Sequence, residues 1–206
     1  MNAAAIYKKL KDRKPSILGH EKLPKYAVLL PLVTIENETH VLFEVRAMSL
    51  RRQPGEICFP GGRMDKSDVD ERQCAIRETT EELGIAEAEI EDIIPLDILH
   101  SPNGNLVYPF AGEISIFEQI KPNTSEVGEI FTVPLSFLLE TKPEIHRVHL
   151  VVQPEEGFPY DLISGGENYQ WQRRNVEQYF YQYNGKVIWG LTARILSHFI
   201  ELLRSK

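Results

Sequence analysis

Apolar runs and polar breaks divide the chain into short segments, and the period of each run assigns its element. YAVLLPLV (Tyr26–Val33) is a near-continuous run of strand formers, in which Pro31 predicts a strand edge or a bulge. After the turn residues Glu36, Asn37 and Glu38, THVLFEVRA alternates through Val41, Phe43 and Val45, so the two runs predict a hairpin. GEICFPGGR is a short strand ending in a Pro-Gly-Gly loop. IEDIIPLDILHS and LVYPFAGEIS read as strands around the turn SPNGN, and EIFTVPLSFLL as a strand that becomes a helix at Pro134. The first 20 or so residues read as a short amphipathic helix with Ile6, Tyr7 and Leu10 on its apolar side. Residues 141–166 are mixed, with short strands around RVHLVVQ and a loop at PEEGFPYD. An aromatic hairpin about Asn184-Gly185 and a long amphipathic helix follow.

One segment departs from ordinary patterning. In the run through Arg77, Asp68 or Asp70 is placed to cap a helix and Gly84 to end it. At about 100° per residue, Ile76, Thr80 and Leu83 fall on one side and Glu78, Glu81 and Glu82 on the other. The apolar side is expected to pack inward and the carboxylates to line something open. Like charges at such spacings cost roughly 0.2–0.5 kcal/mol per pair in an isolated helix. A cation would relieve them.

Composition narrows the classes. The 206 residues, 42% hydrophobic and 26% charged, are ordinary for a globular protein that needs no disulfide or metal staple. Without repeat, low-complexity tract or linker, one α/β domain over 1–206 is the simplest account. Cys58 and Cys74 lack a CxxC spacing, which argues against structural zinc, and Cys74 reads as a small core residue. His40, His100, His146 and His149 have no zinc-like spacing either. No apolar run approaches a membrane span, the start lacks a secretory core, and the end is not a peroxisomal tripeptide. A cytoplasmic protein without membrane contact is the expectation. A net charge of −7 argues against nucleic acid as partner, but not against a phosphorylated small molecule met by local basic groups or a metal.

The segment from Gly62 to Ile85 resembles the Nudix box, G-x5-E-x7-R-E-U-x-E-E-x-G-U with U a bulky apolar residue. Arg77, Glu78, Glu81, Glu82, Gly84 and Ile85 match in place, while Thr79 stands where an apolar residue is usual. The front half has one extra residue and Asp68 where glutamate is usual. Upstream, RAMSLRRQPGEICFPGG resembles the R-S-x3-R-x3-G-x3-F-P-G-G pattern of Nudix enzymes that hydrolyse coenzyme A. Arg46, Arg51, Gly55, Phe59, Pro60, Gly61 and Gly62 are in register, and Ala47 replaces the serine. The resemblance runs from about Ala27 to Leu196.

It implies a Nudix α/β/α sandwich around a mixed β-sheet, and a metal-dependent hydrolase splitting the diphosphate of coenzyme A or its thioesters. Mg²⁺ or Mn²⁺ would be held by Glu78, Glu81, Glu82 and Gly62. Glu81, Glu126, Glu129 and Arg77 would carry the catalytic work, with Arg77 orienting the neighbouring acids. Arg46, Arg51 and Gly61 would bind substrate. Hydrolysis of ADP-ribose or a nucleoside triphosphate, or nucleotide sensing without catalysis, are the alternatives. Each assignment has a plainer competitor: a solvated face for the helix acids, surface charge for Glu126 and Glu129, surface ion pairs for Arg46 and Arg51. Arg173 and Arg174 read as solvated surface, and YFYQY as core strand rather than a base-stacking platform. Residues 143–183 are a candidate for homodimer formation or for acyl binding.

Overall fold

Strand β1 (Lys25–Ile35) organises the fold, because every layer packs on it or on its neighbours. The computed structural model describes residues 2–205; Met1 and Lys206, the ends of the predicted 1–206 domain, lie outside that range. β1 turns into antiparallel β2 (Glu38–Arg46) through Glu36 and Asn37, at φ 49° and 66°. Such left-handed pairs make the tight turns that suit twisted strands. Along its other edge β1 runs parallel to β7 (Leu106–Ile114), so the sheet is mixed.

The β2-side edge of β1 is shared. Tyr26–Val28 pair with β4 (Gly61–Arg63), and Leu32–Ile35 with β2. Pro31 lies in the interval between these partners, inside the strand and not at the predicted edge or bulge. Two residues earlier on this edge, Leu29 N–H donates to Pro60 O at 2.9 Å, but at Pro31 no ladder requires the missing N–H. β3 (Ile57–Cys58) and β8 (Val127–Pro134) extend the sheet on β2; β5 (Ile90–Pro95) and β6 (Leu99–His100) pair with β7.

Alternate residues feed two cores. Ala27, Leu29 and Val33, with Leu42 of β2 and Phe110 of β7, pack against Cys74, Ala75, Ile76 and Leu83 of helix α2 (Glu71–Leu83). Leu30, with Val41 and Phe43, packs against Leu196, Phe199 and Ile200 of helix α4 (Gly190–Arg204). Helix α3 (Leu135–Glu140) adds Leu138 to this side. A second sheet adds Tyr181 of β10 (Arg174–Tyr183) and Ile188 of β11 (Lys186–Trp189). Its outer strand is β9 (Glu144–Leu150). Helix, mixed sheet and helix make the predicted α/β/α sandwich. Helix α1 (Ala3–Leu10) covers only the first part of the segment expected to be helical, and its apolar side is not buried: Ile6, Tyr7 and Leu10 are exposed.

Helix α2 corrects the expected packing. Thr79, not Thr80, is fully buried, its hydroxyl donating to Ala75 O at 2.7 Å. Ala75, Thr79 and Glu82, at i, i+4 and i+7, are all buried against the sheet. Asp70 caps the helix, accepting from Gln73 N at 2.8 Å, which leaves Asp68 for another role.

Phe43 is fully buried between Phe59 and Phe131, with ring centroids 5.0 and 5.4 Å away. Truncation of Phe43 to alanine is expected to cost about 3–5 kcal/mol, as such core deletions do. Urea unfolding checks this, and a loss below about 1 kcal/mol would show the stack to be dispensable.

Candidate active site

The Pro60-Gly61-Gly62 segment crosses beneath α2 closer than any side chain would allow. Gly61 has φ 151°, and a Cβ there would come within 2.6 Å of Val28 Cα. A Cβ on Gly62 would fall inside the Glu78 carboxylate. Glycine at 61 therefore lets the loop lie against β1 and glycine at 62 lets it lie against the Glu78 carboxylate, and Gly61 N–H donates to Glu82 Oε2 at 2.8 Å. That bond ties the helix to the loop.

The three helix acids have different surroundings. Glu82 is buried, Glu78 is half-buried and Glu81 is exposed. The expectation that all three line an open face is thus corrected for Glu82, which lies on the packed side. Burial pushes the Glu82 carboxyl up to about 9, aided by the negative charge of Glu44 and eased by the Gly61 N–H. Glu78 is also raised by burial, against the pull of Arg77.

Arg77 is the hub that opposes this repulsion. Its Nε and Nη2 grip Asp68 Oδ1 and Oδ2 at 2.8 and 3.0 Å, a bidentate pair. Nη2 also lies 2.9 Å from Glu78 Oε1, and Nη1 lies 3.3 Å from Glu81 Oε2. The bidentate bond expected toward Glu78 or its neighbours is therefore made to Asp68, on the loop before the helix. Bonded to this guanidinium, Asp68 is held well below the usual carboxylate range, at about 2.

Of the two acids beyond the helix, the fold brings one to the site. The turn before β8 is stitched to the end of α2 by Lys121 N–H to Leu83 O (3.1 Å) and Asn123 N–H to Glu82 O (2.8 Å). It sets Glu126 where its charge acts on Glu78, Glu82 and Glu44. Glu129 shares strand parity with Phe131 and Val133, which pack on the α4 side, and its carboxylate is paired with Lys186 at 2.8 Å. Glu129 thus stands on the other face of the sheet. Arg46 is half-buried beside Glu44, with its Nη2 3.4 Å from Arg52 O, while Arg51 is exposed.

Glu44 is the residue that sequence reasoning missed. It is 1% exposed, on the same parity of β2 as Leu42, and so faces α2. Burial raises it to about 7, with Cys58 Sγ donating to Oε1 at 3.2 Å in partial compensation. The consecutive apolar residues Val41, Leu42 and Phe43 were the available signal, since a strand apolar on both faces is buried on both.

Residues 25–156 match the NUDIX domain family. The chain belongs to the Nudix hydrolase family. It is 35% identical over 140 residues to the peroxisomal coenzyme A diphosphatase NUDT7 of Mus musculus, covering 68% of this chain and 58% of that protein. To the mitochondrial coenzyme A diphosphatase NUDT8 of Homo sapiens it is 29% identical over 180 residues, covering 86% and 68%. The fold is similar to that of a MutT/nudix family protein from Enterococcus faecalis, at TM-score 0.51 and 15% identity, over 98% of this chain and 70% of that one.

Nudix hydrolases generally use divalent cations such as Mg²⁺ or Mn²⁺. Among the described residues, no three His, Cys, Asp or Glu side chains already converge on one point. Arg77 holds Glu78 and Glu81 aside, and Gly61 holds Glu82. The donor set nevertheless fits a hard cation: it is all carboxylate oxygen, partly buried, mutually repelling, and includes an unpartnered Glu44 Oε2.

The Asp68–Arg77 bond of this Nudix helix makes a pH prediction. With its folded value lowered to about 2 from 3.8, Asp68 contributes stability that is present above pH 3.8 and is lost as pH falls through about 2. Asp68→Asn is expected to cost about 1–3 kcal/mol near neutral pH, as loss of a partly buried, charge-assisted bidentate hydrogen bond does. Its stability should also fall less steeply than wild type between pH 4 and 2. Parallel acid limbs in chemical denaturation would show that the pair contributes nothing.

Proposed function

We propose that this Nudix hydrolase cleaves the diphosphate of coenzyme A or its thioesters, giving 3′,5′-ADP and (acyl-)4′-phosphopantetheine. The observation that carries the reading is continuity. Arg46 and Arg51 stand on the segment that runs through Phe59 into Gly61 and Gly62, where Gly61 meets Glu82, so substrate held by the two arginines would lie along the chain that leads to the acids of α2. The similarity to the two coenzyme A diphosphatases supports it.

Glu78 and Glu82, with Gly62 through its main chain and Glu81 at the solvent edge, would hold Mg²⁺ or Mn²⁺. When bound, the cation supplies charge neutralisation for the diphosphate and polarises it toward attack by water. The chain's own residues do the rest. Gly61 N–H fixes Glu82, and Arg77, itself clamped by Asp68, fixes Glu78 and Glu81. Glu81 and Glu126, both exposed, are the candidates to take the proton of the attacking water, and Glu129, paired with Lys186, is left out of that role. A new O–P bond forms from water, the bridging P–O bond breaks, and its electron pair leaves with the departing phosphate.

A cleft of about 370 Å³ stands away from the carboxylates. It lies between Pro54–Ile57 and the β10–β11 hairpin, with Lys186, Val187 and Trp189 on its far wall. Because it adjoins the Arg46–Gly55 loop, we assign it to the part of the substrate beyond the diphosphate.

Product analysis over coenzyme A species, dinucleotides and triphosphates with Mg²⁺ and Mn²⁺ tests the reading directly. Coenzyme A should be cleaved, and Glu82→Gln should nearly abolish turnover while the fold stays intact. Cleavage of ADP-ribose alone would overturn the substrate and leave the carboxylate site standing.

The arginines offer a finer test. Coenzyme A carries a 3′-phosphate that dephospho-coenzyme A lacks, and a charge-assisted hydrogen bond to it is worth about 1.5–3 kcal/mol. If either arginine reads that group, Arg46→Ala or Arg51→Ala lowers kcat/KM for coenzyme A by roughly ten- to a hundred-fold, and much less for dephospho-coenzyme A. Equal losses on both substrates would assign the arginines to the shared diphosphate or to bracing the loop.

A further inference from the structure

Glu44 is buried without the partner that a buried carboxylate requires. Only one of its oxygens has a contact: Cys58 Sγ donates to Oε1, and a thiol is a weak donor. Oε2 is buried and has no hydrogen-bond partner. Arg46, the cation whose charge acts on it, makes no ion pair with it: Nη2 is directed to Arg52 O, and Nε is itself buried without a partner. The other charges acting on Glu44 are carboxylates: Glu126 and Glu78, and Glu82, which it repels in turn.

An orphaned buried polar atom costs about 1–3 kcal/mol, and more when charged. A proton would remove the charge on Glu44 but would leave the charges of the neighbouring carboxylates unrelieved. A divalent cation would satisfy the oxygen and also relieve the repulsion from Glu82. Position agrees: Glu44 lies opposite Cys58 in the β2–β3 pairing, three residues before Gly61, whose N–H holds Glu82. Glu44 and Glu82 therefore approach the same place from the sheet and from the helix.

We infer that Glu44 is a further carboxylate ligand of the divalent-cation site, acting through Oε2 beside Glu78 and Glu82. This rests on the metal-dependent reading above. The sheet then contributes a ligand of its own, on an element more rigidly held than the exposed turn carrying Glu126.

Mn²⁺ binding by the full chain, followed as loss of the free-ion paramagnetic resonance signal, tests this without reference to turnover. Wild type, Glu44→Gln and Glu82→Gln are compared. Glu44→Gln should weaken Mn²⁺ binding at least roughly tenfold, since the charge count of the ligands sets affinity over decades. Its metal-free melting temperature should equal or exceed that of wild type, because the amide removes an unpaired charge at nearly constant shape. In Mn²⁺-soaked wild-type crystals, the anomalous peak should lie about 2.0–2.6 Å from Glu44 Oε2. Wild-type affinity in Glu44→Gln with lost affinity in Glu82→Gln would overturn this inference alone. Wild-type affinity in both would overturn the metal site with it. A manganese peak served by Glu78 and Glu82 but out of reach of Glu44 would also overturn it, even if the variant fails to fold.

Discussion

The hydrogen bond from Gly61 N–H to Glu82 joins the two halves of the site, and the rest depends on the close approach that makes it. A helix can lie this near a strand end only where the facing residue has no side chain, which Gly62 provides, while Gly61 lets the same loop lie against β1. The approach buries the end of α2 that carries Glu82. It also sets the Glu78 carboxylate over Gly62, so that main chain and carboxylates face each other across a narrow gap. Pairing of β4 with the first residues of β1 fixes the loop, and the core under Ala75, Ile76 and Leu83 fixes the helix.

Electrostatically the arrangement is costly, and Arg77 only partly offsets the cost. Its guanidinium serves Asp68, Glu78 and Glu81 together, but it does not reach Glu82 or Glu44. Those two remain buried and repelling, with burial the larger cause of the upward shift in each. A structural ion-pair network would be arranged to cancel its charges. Here burial and mutual repulsion raise both carboxyls instead, so the two acids at the Gly61 end of the helix are held in a place that favours their protonated forms until a cation offsets the charge. The global charge of −7 says nothing of this, because it averages over a surface that the site does not share.

Much of the fold was legible in the chain. The β1–β2 hairpin, the helix ended by Gly84, the strand-to-helix change at Pro134 and the turn at Asn184-Gly185 are local choices of period and turn chemistry, and they appear where expected. The motif also places Arg77, Glu78, Glu81 and Glu82 on one helix beside a Gly-Gly loop. Helical period orders residues around an axis, but it does not say which meridian meets the sheet. That meridian runs through Ala75, Thr79 and Glu82, so Thr79 rather than Thr80 meets the sheet and Glu82 is buried rather than open.

What only the tertiary structure decided concerns faces and partners. Glu126 and Glu129 are three residues apart, yet the stitching of the turn to α2 carries one to the acids, and strand alternation sends the other to Lys186. Asp68 is an off-pattern residue in the motif, but it finds Arg77 because Asp70 takes the cap. Glu44 is a buried acid because α2 covers the Leu42 side of β2, which the alternation of Val41, Phe43 and Val45 does not reveal. The sequence by itself determined elements, turns and the carboxylate helix, because these follow from interactions within a few residues of chain. Which acids share one volume depends on how two layers meet across the sheet, and no local period records that.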